Sequence, residues 1–545
     1  MRSFLQRVII PVPNSYLNAS LLLAILMASL LVVRRIPAAV GVKLKDWAEG
    51  PWFPLAAGIL AASLMLWQWG GLRAQPVVYD EAAYLLQAEL LASGHWSRPS
   101  PPDAEAFTQP AVLVIPVLSP KMPPGHALLL ALGVLVHLPG LIPVLLVGGA
   151  AALLALLARR LAGPGVAAVA IGVWLTQAGQ GRWRVSYFSE NTTTVLWLLG
   201  WWSLLRWRES RSGGWLLLLA AVTGWGAVTR PLTMIAFALP AGIVVIYETI
   251  QSRRWRPLGA AIALGSCCLL LVPLQNSMVL GRWDRSPLTL YTRQYLPFDK
   301  MGFGYDSTPP LLRMPKMLEE ANAGFIDRHK EHVPGALTKI LQDRLRVWWA
   351  SNFSGWRRLF IPFAFLGLFF LPRAAWIGVA SAALLYVLYL AYAHEPYWSL
   401  YYAEGTTVIA GVISIGVAWF LRRISGNPEF VVAGSFAIAA VVLCWAEPDL
   451  SRWRVAVREA QRPLLQLREE LAPVAAMRPL VFIRHQPGHD VHQSLVRNVA
   501  DPAAAQIITA FDLGPESRGV VKAGYPTRPA FVWDERSHTL TPDAP

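Results

Sequence analysis

Apolar residues along this chain come in long runs rather than in alternation. Leu21 to Val33, Pro54 to Trp67, Leu141 to Ala158, Ala260 to Leu274, Ala374 to Tyr392, Thr406 to Phe420 and Val431 to Trp445 approach or reach the length that crosses a bilayer as helix, about 20 residues. Several runs are interrupted by Pro or Gly and count once or twice, so the pattern predicts roughly 11 to 13 spans. Three stretches differ: residues 72–125, residues 281–357 and everything after Glu447. The first follows a Gly70-Gly71 break with "VVYDEAAYLLQAELLASGHW" and a Pro-rich turn, "SRPSPPD". It ends in "LSPKMPPGHALLLALG", where Pro123-Pro124 should break the backbone just before a helix. The second mixes Gly and Pro with short amphipathic runs suited to an interface. The tail opens on a helical pattern, "RWRVAVREAQRPLLQLREELAPV", interrupted by Pro463. It continues with short strands in "PLVFIRH", "AQIITAFDL" and "RPAFVWDE". The expected organisation is a polytopic α-helical membrane part, residues 1–446, and a small α/β domain, residues 447–545.

Composition agrees, with 55% hydrophobic and only 15% charged residues among 545. A net charge of +15 is what nucleic-acid binders carry. Here the cations sit in short clusters between apolar runs: Arg34-Arg35, Arg159-Arg160, residues 206–211, residues 253–256 and Arg422-Arg423. That is the positive-inside pattern, so no nucleic-acid partner is expected. The clusters should be cytoplasmic, and the two loops and the tail extracytoplasmic. Arg34-Arg35 ends the first apolar run like a stop-transfer flank, with no small-residue cleavage site after it, so that run reads as retained. Cys267, Cys268 and Cys444 all lie in apolar runs and encode no disulfide framework.

Ionisable groups beside a bilayer are costly unless paired or hydrated, so those outside the basic clusters are candidates for function. They are Asp80-Glu81, Lys121, the segment "GRWRVSYFSEN" with Arg182, Arg184 and Glu190, Arg230 in "VTRPLT", and "HEPYWSLYYAEG" with His394, Glu395 and Glu404. His126 follows the Pro-Pro break. A carboxylate beside several cations suits transfer from a phosphate leaving group. The acid takes the acceptor's proton while Lys and Arg hold the phosphate.

The segments "VVYDEAAYLLQAE", "PKMPPGHALLLALG", "YFSENTTTVLWLLGWW" and "AVTRPLTMIAFALP", in that order, resemble the C-type glycosyltransferase superfamily, GT-C. Its relatives include protein O-mannosyltransferases and lipid A aminoarabinose transferases. "SPLTLYTRQYLPFDKMGFGYDSTPP" and "YWSLYYAEGTTVIAGVISIGVA" are similar to a bacterial branch with a GFG loop and a Tyr-rich motif. The resemblance covers about residues 50 to 425. It implies an inverting enzyme of the bacterial inner membrane that moves a sugar from a polyprenyl-phosphate donor to a glycan, lipid or protein acceptor, on the extracytoplasmic side. It also implies Asp80 as the catalytic acid-base residue, with Glu81 adjacent, and Lys121 on the donor phosphate. Arg230, Arg182 and Arg184 are further phosphate candidates, and His126, Glu190, Tyr402 and Glu404 complete the expected cavity. The tail after Glu447 matches no part of the superfamily.

Each reading has a plainer counterpart. Asp80 and Glu81 suit a helix N-terminus, where acids complement the dipole. Lys121 can be a snorkelling lysine, and Arg182 and Arg184 ordinary loop charges. The acid pair is also a set of ligands for a divalent cation such as Mg or Mn, although no cofactor is expected to be required. His485, His489 and His492 have a spacing that a zinc site can use, against which stand Pro487 and Gly488. Arg484, His485, Tyr525 and Trp533 suit carbohydrate or partner contact. A lipid-linked saccharide transporter or flippase is the alternative function. It would show paired halves with matching broken helices, and no such symmetry is evident.

Overall fold

Leu, Val, Ala and Trp without intervening charge form helices because a spanning segment must satisfy its own backbone. A computed structural model describes residues 15–35, 37–177, 181–253 and 255–543. Among these, six helices are long and apolar enough to cross a membrane: Trp52–Trp69, Leu141–Ala162, Pro231–Ser252, Trp255–Leu280, Ser399–Ile424 and Pro428–Trp445. A further pair, Gly355–Phe369 and Arg373–Tyr389, is bent by 110° at its break. The expected count of roughly 11 to 13 also takes in apolar runs that fall short of this length. Several fold instead as shorter apolar helices, including Pro124–Leu135, Pro164–Thr176 and Gly213–Ala227. Proline at the first position starts two of them, where its missing N–H costs nothing. Helices approach closely where side chains are small: a methyl group on Gly58 would lie 2.9 Å from the Gly148 carbonyl.

The basic clusters gather at one end of the bundle. Arg159 donates to the carbonyls of Glu49 and Gly50 at 2.7 and 2.8 Å, Arg160 pairs with Glu209, Arg208 with Glu248 at 2.6 Å, and Arg422 donates to Ala162 O at 2.8 Å. Glu49 and Gly50 precede the helix Trp52–Trp69, and the first loop leaves its other end. Asp80 therefore lies at the end opposite the arginines, as the charge pattern predicts.

The loop after Trp69 forms the helix Tyr79–Ala92 and three short strands, β1 (Arg98–Pro99), β2 (Val112–Leu113) and β3 (Val117–Pro120), with β3 in the centre. In the tail, β4 (Leu480–Arg484), β5 (Ile508–Phe511) and β6 (Ala530–Asp534) are parallel, and β7 (Thr539–Pro542) pairs antiparallel with β6, in the order β5-β4-β6-β7. Period-two alternation splits the sheet's side chains. Leu480, Phe482, Ile508, Ala510 and Val532 pack with Ala106 and Phe107 of the first loop. Val481, Ile483, Phe511 and Trp533 join the large core. The first loop thus supplies part of the tail's core, and Phe511 N donates to Ala106 O at 2.8 Å.

Two expectations change. Pro463 does not interrupt the tail helix, which runs from Glu447 to Leu471 with proline inside. Its buried stripe of Val457, Ala460, Leu467 and Leu471 outweighs the lost hydrogen bond, about 3 kcal/mol. Trp533 is not a contact surface either, since it is buried and donates its indole N–H to Glu470 at 2.7 Å.

Candidate functional site

The acid pair divides between two tasks. Glu81, at the third position of the helix Tyr79–Ala92, is buried. Its Oε1 accepts from Val77 N and Val78 N at 3.3 and 3.2 Å, and its Oε2 accepts from Tyr187 N at 2.9 Å. Burial pushes its carboxyl up to about 7 against those three donors. Glu81 is therefore the anchor that closes the helix start onto the segment before Glu190, not a second reactive acid. With both of its oxygens on backbone N–H groups, Glu81 is not placed as a cation ligand beside Asp80.

Asp80 points the other way, into a cavity of about 730 Å³ shared with Lys121, Tyr79, Tyr291, Asp299 and Arg328. Among the described residues its carboxylate takes no hydrogen bond and stays open to the cavity. Loss of water raises it to about 6; Lys121 pulls it down, Asp299 pushes it up and Arg230 pulls it down more weakly. The Lys121 ammonium stands 3.9 Å from Asp299 and 4.5 Å from the centre of the Tyr291 ring. Its backbone N–H bonds to Ala111 O at 3.0 Å, continuing the β2–β3 pairing that holds it opposite Asp80. Asp299, which the sequence reading did not single out, accepts from Tyr392 Oη at 3.0 Å. Its only signal was an acid inside the Gly-Pro-rich stretch "YLPFDKMGFG".

Of the remaining residues that the resemblance implies for the site, those with described side chains do not line this cavity. Arg230 lies deeper, ion-paired with Glu190 and donating to Tyr389 Oη at 2.9 Å, so it reaches Asp80 through its field alone. Glu404 accepts from Thr193 Oγ1 and is fully buried. Glu190 and Glu404 thus act as the counter-charges that a buried guanidinium requires. Arg184 donates to Trp174 O and, at 2.7 Å, to Leu175 O, closing the end of the helix Pro164–Thr176. The side chain of Arg182 lies outside the described residues. His126 donates from Nε2 to Tyr187 O and accepts at Nδ1 from Thr192, both at 2.8 Å, which uses both ring nitrogens in the core. Tyr402 stacks on Tyr386 at 4.1 Å and meets His394 Nε2 at 2.9 Å. These six, Arg230, Glu190, Glu404, Arg184, His126 and Tyr402, were expected at the site because their charge or polarity looked unexplained in sequence, and each finds its explanation in a partner elsewhere in the fold.

The tail closes over the cavity. Gly488, His489, Asp490 and His492 line it, and the His492 ring stacks on Tyr79 at 4.7 Å with planes 8° apart. His489 bonds to Glu535 at 2.6 Å, while Leu495 N donates to His485 Nε2 at 3.4 Å. The three histidines face different partners rather than one metal. Arg328, from the helix Lys316–Glu331, completes the rim with its ion pair to Glu395 at 2.8 Å.

No family profile and no curated protein matches the chain. Several solved structures are similar to it, two of them of one protein. One is ArnT from Cupriavidus metallidurans bound to undecaprenyl phosphate, at 14% identity and a TM-score of 0.45, with 89% of each chain covered. The other is the same protein in the apo state, at 14% identity and 0.49, with 88% of this chain and 92% of that one covered.

Proposed function

We propose that this protein is an inverting glycosyltransferase that moves a sugar from a polyprenyl-phosphate donor to an acceptor hydroxyl at the bundle end remote from the arginine clusters. One observation carries the reading. An acid free of hydrogen bonds among the described residues, Asp80, and a lysine, Lys121, face one cavity at the end where the sequence resemblance expects them. Asp80 is the general base, removing the acceptor proton as its oxygen attacks the anomeric carbon from the side opposite the phosphate. Lys121 stabilises the phosphate that leaves, and Asp299 and Tyr291 orient its ammonium. No cofactor is required, since the base and the cation together supply the proton transfer and the charge stabilisation. The enzyme sits in a bacterial inner membrane with the cavity on the extracytoplasmic side.

Transfer of radiolabelled sugar from a polyprenyl-phosphate donor by purified protein tests the reading. Asp80→Asn is expected to lower transfer by about 100-fold or more while donor binding survives. Movement of lipid-linked sugar across vesicles with no bond made to an acceptor would favour a flippase instead.

A further inference from the structure

A second cavity, about 780 Å³, lies between the first loop and the tail domain and takes no part in the chemistry above. Arg98 enters it from β1, and Arg478, Arg497 and Arg528 from the tail. None of the four forms an ion pair among the described residues. One carboxylate, Asp501, lines the cavity, and it is occupied by the N–H groups of Ala503 and Ala504 at 2.9 and 3.2 Å.

Backbone carbonyls hold three of the guanidiniums in place without neutralising them. Arg98 donates to Ala500 O at 2.7 Å, Arg528 to Pro502 O and Ala505 O at 2.6 and 2.7 Å, and Arg478 to Ala503 O. Arg497 has no such bond: its Nε and one Nη are buried without a partner. The acid nearest in effect is Glu81, whose oxygens are already taken by backbone. Three fixed cations around an unpaired guanidinium form a site in which a carboxylate or phosphate gains bidentate hydrogen bonds.

We propose that this cavity binds an anionic saccharide. Between the cations lie the ring of Tyr525 and the flat faces of Pro102 and Pro526, surfaces that suit the C–H faces of a pyranose. A peptide adding a strand fits less well, because the outer edge of β5 is already used by the Ala106 carbonyl and by Arg497 N donating to Thr509 Oγ1 at 3.0 Å. The first-loop segment 107–121 walls both cavities, with Phe107 and Leu118 on this side and Ala111 and Lys121 on the Asp80 side. On the glycosyltransferase reading, the saccharide is the anionic part of the acceptor, held beside the reactive carboxylate.

Calorimetric titration of the full-length protein in detergent with trigalacturonate, neutral trigalactose and hexaglutamate tests this. Trigalacturonate is expected to bind more tightly than the other two and to weaken with salt. Arg497→Gln should weaken it by about tenfold or more, the weight of a hydrogen bond to a charged group. Arg478→Gln, at an exposed position, should weaken it in the same direction with little demand on folding. Equal binding of trigalactose, tighter binding of hexaglutamate, or unchanged affinity in both variants would overturn the proposal. Failure of the transferase reading is read separately, as absent sugar transfer by wild-type protein that still binds trigalacturonate.

Discussion

Asp80 and Glu81 are neighbours with opposite fates, and substitution separates them. Asp80→Asn should lower transfer by about 100-fold or more, the usual contribution of a general base. The proton must be absent for Asp80 to act, so activity should fall as pH drops through about 6 and level off above it. Stability runs the other way. Between the ordinary value, 3.8, and about 6 the folded protein binds the Asp80 proton and the unfolded chain does not, so this group destabilises the fold as pH rises through that window. Asp80→Asn should therefore melt higher than wild type at pH 7, and an unchanged or lower melting temperature would contradict a desolvated carboxylate. Glu81→Ala strips the acceptor from three backbone N–H groups and should cost about 1–3 kcal/mol of stability, with little change in turnover per folded molecule.

At the level of elements, the first loop and the tail hold each other. Phe107 is 3% exposed and stands in the tail sheet's core, while Asn498 N bonds to Gln109 at 2.9 Å. Phe107→Ala should destabilise by about 3–5 kcal/mol, read most simply as faster proteolysis of residues 447–545 in otherwise intact protein. The 488–492 loop roofs the Asp80 cavity through the stack of His492 on Tyr79. His492→Ala should raise the KM for acceptor more than it lowers kcat, and equal effects on both would place this loop in the chemical step instead. The tail strands were legible from their short β-branched and aromatic runs. Their debt to Phe107 was not, because that contact joins residues far apart in sequence.

For the whole molecule, the separation of arginine clusters from the Asp80 cavity predicts a fixed orientation in the membrane. Protease added to intact spheroplasts should cut the tail and the 281–357 loop, since both lie at the end away from Arg159, Arg208 and Arg422. Cleavage only in inside-out vesicles would reverse the topology.

Apolar run length and the placement of arginine alone determined that the chain is a polytopic helical protein with two ends of different character. Those properties are local, because the bilayer imposes length and the charge bias acts loop by loop. The acid at position 80 and the lysine before Pro123-Pro124 were visible for the same reason: each is a costly group in a short segment. Which costly groups remain open was decided by tertiary structure. Arg230 with Glu190 and Glu81 with Tyr187 N are satisfied across long sequence separations, and Arg184 by the Trp174 and Leu175 carbonyls of the helix that precedes it. A residue's partners depend on packing that no local pattern encodes, so only the folded chain distinguishes a buried counter-charge from a reactive one.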